Sequence, residues 1–157
     1  QRTPRRRKPQ RSALPPYSAR MPTAPGPAPL PCPCGRPAAY AQCCGLLHEA
    51  HAAGQGLRAP TPEALMRSRY TAFVLDQRDY LLATWHASTR PATLEPPEPG
   101  LKWLGLDVKR SAMQDADHGS VEFVARSKLG GRAHRLHEVS RFVREAGAWF
   151  YVDGELS

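Results

Sequence analysis

The sequence holds 157 residues, 41% of them apolar, with a formal net charge of +8. That length suits one ordinary domain with a small appendage and is too short for two full domains. No apolar run approaches the ~18–20 residues of a helical membrane span, which argues against membrane insertion.

The charge is concentrated at one end. Residues 1–20 contain Arg2, Arg5, Arg6, Arg7, Lys8, Arg11 and Arg20 and no acid, so the rest of the chain, with 15 basic and 14 acidic side chains, is close to neutral. Ten of the 17 prolines lie between Pro4 and Pro33. Such a segment cannot bury apolar surface, and residues 1–30 are expected to form a disordered leader. Arg5-Arg6-Arg7 is not followed by the apolar stretch of an export signal. Met21 is a second candidate for the native start. The leader reads either as a solvated segment or as a basic arm that touches nucleic acid or another anionic surface. Without an export signal the expected compartment is the cytoplasm. There, clustered thiols read as metal ligands more readily than as disulfides.

All four cysteines fall in the next stretch, as Cys32-Pro33-Cys34 and Cys43-Cys44. Two tight pairs with a short spacer supply the four soft ligands of a tetrahedral zinc ion, with bonds near ~2.3 Å and no open position. Gly35 permits the tight turn that brings two sulfurs to one ion. Cys43 and Cys44 are adjacent and must diverge, which a turn entering a helix achieves. Tyr40 is expected to pack across the site. The predicted metal ligands are therefore Cys32, Cys34, Cys43 and Cys44, holding Zn(2+) in a structural knob over residues 31–54. Two other readings stay open. The adjacent cysteines would form a strained, redox-active disulfide, or His48 or His51 would replace a thiolate. With four thiols present, both histidines read better as solvated positions on a helix.

Residues 61–90 read as helical. Thr61 suits a cap, Pro62 the first helical position and Glu63 the positive end of the dipole. Leu65, Met66, Tyr70, Phe73 and Val74 recur at helical spacing and predict one apolar stripe. A second short helix is expected over residues 80–85, and residues 95–100 read as a loop. The last third alternates. Leu104, Leu106 and Val108 are expected on one strand face, and Val121, Phe123 and Ala125 on another. Gly130-Gly131 turns the chain. Leu136, Glu138, Ser140 and Phe142 then face one way, while His137, Val139, Arg141 and Val143 face the other. Ala146-Gly147 turns again, and residues 149–152 close the set. Helices followed by four strands in short turns predict an α+β fold, with helices on one face of a curved antiparallel sheet.

The segment CPCGRPAAYAQCCG resembles the SEC-C zinc motif found at the end of SecA translocases. The match rests on the four cysteines with Gly35, Tyr40 and Gly45. The usual lysine-rich loop is replaced by Arg36-Pro37-Ala38-Ala39, so docking through a basic face is not implied. From ALMRSRYTAFVLDQRDYLLATWHASTRP, WLGLDV, VEFVAR and LHEVSRFVREAGAWFYVDG the rest resembles the YchJ family, in which a SEC-C motif precedes a nuclear-transport-factor-2-like domain. The resemblance implies such a domain over residues 55–157. It also implies a cone that often encloses a ligand cavity.

Glu138 and Ser140 share a core-facing strand side, and Arg69 lies on the helix opposite. One reading is a small-molecule pocket formed by Arg69, Tyr70, Trp85, His86, Glu138 and Ser140, with Glu138 as acid or base. The other is a buried Arg69–Glu138 ion pair that joins helix to sheet. No nucleophile–base signature is present, which leans against an enzyme. Three functions follow: a zinc-stabilised interaction module for a protein partner, a small-molecule-binding or enzymatic cone, and nucleic-acid or ribosome association through residues 1–20.

Overall fold

The computed structural model describes residues 29–157. The expectations for the basic leader lie outside the described residues. A short hairpin opens the described chain. Pro31 bridges Ala39, the Cys32 N–H donates to the Ala38 carbonyl at 2.8 Å, and the Tyr40 N–H donates to the Leu30 carbonyl at 3.0 Å. A single 3-10 turn, Tyr40–Gln42, leads into α1, Cys44–Ala52. Helix α2 spans Pro62–Val74 and α3 spans Arg78–Ala83. Strands β1 (Lys102–Asp115), β2 (His118–Leu129), β3 (Arg132–Glu145) and β4 (Ala148–Leu156) pair antiparallel in sequence order. No described helix is long and apolar enough to cross a membrane.

Helix α2 starts as its residues dictate. The Thr61 side chain accepts from the Ala64 N–H at 3.1 Å, and Pro62 fills the first turn. The predicted single stripe is too narrow a description. Leu65, Met66 and Tyr70 are buried, but so are Ser68, Arg69, Thr71 and Ala72. The helix is covered on two sides, by the sheet on one and by the hairpin, α1 and α3 on the other. Phe73 ends up partly exposed.

Three expectations need correction. The second helix begins and ends earlier than residues 80–85. It stops at Thr84, whose hydroxyl turns back to the Tyr80 carbonyl at 2.7 Å. The chain beyond pairs with β4: the Tyr151 N–H donates to the Thr84 carbonyl at 2.8 Å and the His86 N–H to the Tyr151 carbonyl at 2.7 Å. Trp85 therefore sits in an extended bridge to Tyr151, not in a helix. Leu104 does not share a face with Leu106. A bulge between Trp103 and Gly105 inserts one extra residue against β2, so Trp103 turns toward the core and Leu104 is 56% exposed.

The third correction concerns His48, which is buried rather than solvated. Its Nε2 lies 2.8 Å from the Ser68 carbonyl, which only accepts, so Nε2 carries the proton. Nδ1 then accepts from the Tyr40 hydroxyl at 2.8 Å. Ser68 donates to the Leu65 carbonyl at 2.7 Å and accepts from the Tyr80 hydroxyl at 2.6 Å. This relay ties the 3-10 turn, α1, α2 and α3 together. Burial holds the His48 imidazole below its ordinary 6.5, against the Ser68 bond, which raises it. A depressed pKa means that the unfolded chain binds a proton that the folded chain refuses. Stability from this group is full above 6.5 and declines as pH falls below that value. Replacing His48→Gln should cost about 1–3 kcal/mol at neutral pH, because Ser68 and Tyr40 lose partners. Denaturant unfolding of parent and variant between about pH 7.5 and 5 should show the difference shrinking on acidification.

Candidate functional site

The four cysteines converge. Their sulfurs all lie within 4.8 Å of one another, with Cys34 and Cys43 at 3.6 Å. A tetrahedral shell with bonds near 2.3 Å places sulfurs about 3.8 Å apart, so the spacing suits one metal ion. The hairpin supplies Cys32 and Cys34, and Gly35 completes its turn with φ +90°. The backbone at Cys43 breaks from helical geometry, and Cys44 opens α1, which lets the neighbours diverge toward one point. All four are free thiols, so no disulfide joins Cys43 to Cys44. His48 and His51 lie outside this sulfur cluster. Cys32, Cys34 and Cys44 are buried and belong to the same apolar core as Leu65, Leu106 and Trp149.

Electrostatics favour a cation here. The Cys34 thiol is held well below its ordinary value by a hydrogen bond from Cys44, against burial, with help from the Arg36 backbone N–H and the Cys32 and Cys43 thiols. Burial and then Cys34 push the Cys43 thiol up. Cys34 and then burial push the Cys44 thiol up. Close packing thus lowers one thiol and raises two others, and a positive ion between the sulfurs would favour their thiolate forms. The four-sulfur donor set fits a metal ion.

Helix α2 grips this cluster from one side. The Thr71 hydroxyl lies 3.8 Å from the Cys32 sulfur. The Arg67 Nη1 donates to the Cys34 carbonyl at 2.7 Å. Glu63 joins Arg36 of the hairpin to Arg67 of the helix, at 3.0 Å from each. Burial opposes the charge on Glu63, but hydrogen bonds from Arg36 and Arg67 outweigh it and hold the carboxyl below its ordinary range. Arg36 is the sole charge in the 36–39 loop, and it is already engaged within the chain.

On its other side α2 faces the sheet across a cavity of about 310 Å³. Arg69, Tyr70, Trp85, Glu138 and Ser140 all line it. His86 does not. Its ring turns outward, with Nδ1 2.6 Å from the Ser88 hydroxyl and Nε2 2.8 Å from Glu145. The cause is the β4 bridge at Trp85, since the next side chain in an extended segment points to the opposite side. The Arg69–Glu138 ion pair is also absent among the described residues. Arg69 Nη1 donates to the Leu81 carbonyl at 2.7 Å and to Thr84 Oγ1 at 2.6 Å. Its guanidinium lies over Trp85 and Tyr151. Burial pulls the guanidinium down to about 10, while Tyr151, Tyr80 and Glu138 push it back up, so it remains charged at neutral pH.

Glu138 accepts from the Ser140 hydroxyl instead. Gly154 of β4 makes room for it. A β-carbon there would lie 2.5 Å from the Glu138 carboxyl carbon. The remaining walls include Met66, Phe73, Trp103, Phe123, Phe142 and Tyr151. Several of these were legible as core positions. Their joint enclosure of a space depends on sheet curvature, which alternation does not encode.

Residues 61–154 match the family model described as "YchJ, middle NTF2-like domain". The chain belongs to the YchJ family. A UPF0225 protein of Methylibium petroleiphilum is 66% identical over 123 residues, covering 78% of this chain and 86% of that protein. A UPF0225 protein of Bordetella pertussis is 58% identical over 123 residues, covering 78% of this chain and 90% of that one. The solution structure of a SEC-C motif containing protein from Rhodopseudomonas palustris superposes with a TM-score of 0.67 at 34% identity, covering 80% of this chain and 98% of that one. The crystal structure of a SEC-C motif containing protein from Psychrobacter arcticus gives 0.65 at 28% identity, covering 83% of each chain. The YchJ match spans every residue that lines the cavity, while the cysteines precede it.

Substituting Gly154→Ala should expel the Glu138 side chain from its place above β4. The overpacking is expected to cost about 1–3 kcal/mol. Thermal denaturation gives the cost, and the Glu138 side-chain resonances report its displacement. An unshifted Glu138 would contradict the close packing at Gly154.

Proposed function

We propose that the cysteine cluster is a structural zinc site and that the cone is a small-molecule-binding domain that it stabilises. Four thiolates satisfy zinc completely and leave no position for a reacting water. Soft sulfur donors in a compact tetrahedral set suit zinc. The knob is small, and a structural zinc contributes on the order of 10 kcal/mol to folding in peptides of this kind. Elemental analysis of the purified protein should find one zinc per chain. Cys32→Ser and Cys43→Ser should each lose it and unfold at markedly lower temperature. A folded, metal-free parent with four reactive thiols would overturn the zinc assignment.

The observation that supports the second half is the cavity itself. Its walls are mostly aromatic and aliphatic, with a few convergent polar groups, as in ordinary ligand sites. The test is a fragment screen on the full chain, followed through the indole N–H resonances of Trp85 and Trp103. Fragments should shift both signals, and Ala125→Leu, which fills the cavity from β2, should abolish those shifts. The filled variant should retain stability within about 1.5 kcal/mol of the parent. Fragments that bind only elsewhere would count against the reading.

An interaction role for the knob is a second reading. It is favoured by Leu46, an apolar α1 side chain that is 53% exposed beside the cluster. Leu46→Asp should then release a protein partner without loss of metal. Nucleic-acid contact would rest on residues 1–20, since the remaining chain is nearly neutral. Removal of those residues should abolish any salt-dependent binding.

A further inference from the structure

A buried guanidinium is stable only when its surroundings compensate for lost water. Arg69 is 6% exposed. Both of its hydrogen bonds leave from Nη1, and both acceptors, the Leu81 carbonyl and Thr84 Oγ1, are uncharged. Among the described residues no carboxylate forms an ion pair with it. The faces of Trp85 and Tyr151, with ring centres 5.1 and 4.5 Å away, supply the remaining compensation. Glu138, the carboxylate that lines the same cavity, is held by Ser140. Nε and Nη2 of the Arg69 fork take no protein hydrogen bond among the described residues and are not fully buried.

Trp85 adds a second free donor. Its Nε1–H is the single buried side-chain polar atom without a hydrogen-bond partner among the described residues. Arg69 lies over this ring, so the two donors are neighbours. The guanidinium edge that takes no protein hydrogen bond, at the wall of an apolar cavity, matches the two oxygens of a carboxylate.

Resting on the reading of the cone as a small-molecule site, we infer that its ligand is a small apolar carboxylic acid, bound as the anion. The carboxylate faces the free edge of the Arg69 guanidinium. The aromatic or aliphatic body lies against Met66, Phe73, Trp103 and Phe123. The volume of about 310 Å³ stands at the low end of ligand sites, which suits a compact, single-ring molecule. Glu138 adds a negative charge to the same space and disfavours a second acidic group on the ligand.

The test uses three probes of one shape: 4-phenylbutyrate, 4-phenylbutyramide and 4-phenylbutylamine. Each is titrated into the full chain and followed by tryptophan fluorescence and indole N–H resonances. The acid should bind at least about tenfold more tightly than the amide, because its hydrogen bonds to Arg69 are charge-assisted. The amine should bind more weakly than the acid. Arg69→Gln should erase the preference for the acid and leave the amide within about threefold. If that variant does not fold, Glu138→Gln gives an independent arm. Removing the opposing charge should strengthen binding of the acid about threefold or more and leave the amide unchanged. An amide that shifts Trp85 and binds as tightly as the acid would overturn the inference and leave the cavity reading standing. If none of the probes perturbs Trp85 or Trp103, the cavity reading falls and the inference falls with it.

Discussion

Helix α2 is covered on both sides, and that constraint organises the molecule. A helix with one buried stripe can keep its polar residues in water. This one cannot, since Ser68, Arg69 and Thr71 are all buried with Leu65 and Ala72. Each polar group must therefore find a partner in a neighbouring layer. On the hairpin side Thr71 meets the Cys32 sulfur, and the Ser68 hydroxyl meets Tyr80 of α3. On the sheet side Arg69 reaches past the helix end to Thr84 and Leu81. The cysteine cluster and the cavity are thus the two faces of one helix, and neither is an ornament on the other.

This arrangement explains why the small hairpin is ordered. Its cysteines extend the core of the cone, and its single loop charge is clamped by Glu63. The ion triad of Arg36, Glu63 and Arg67 is partly exposed, and pairs of that kind contribute little on their own. Its value lies in geometry, because it holds the hairpin in register with the first turn of α2. The buried contacts through His48 and Thr71 carry more weight, since breaking them leaves unpaired groups away from water.

Much of this was legible in the chain. The cysteine spacing foretold the cluster of four sulfurs because only a local turn is needed to gather them. Strand alternation placed Leu136, Glu138, Ser140 and Phe142 on the inner face, and all four line the cavity. Four features escaped for physical reasons. His48 looks like any helical histidine until Tyr40 and the Ser68 carbonyl surround it. The partners of Arg69 depend on where α3 stops, and that is decided by pairing of residues 84–86 with β4. Alternation failed at Leu104 because a bulge leaves no mark in a hydrophobic pattern. Gly154 showed no signal either, since its role is the space it leaves for a side chain on the adjoining strand.

The bulge in β1 has a consequence for the shape of the interior. In an unbroken strand Leu106 and Leu104 would point inward together and Trp103 would point to solvent. The extra residue shifts the parity of everything before it. An indole therefore meets Tyr70 edge-on, with ring centres 5.5 Å apart, where a leucine would otherwise stand. The flat wall at this end of the chamber is thus a matter of counting along the backbone. The same residues paired without the bulge would place Leu104 there and present a rounder, aliphatic surface to whatever enters.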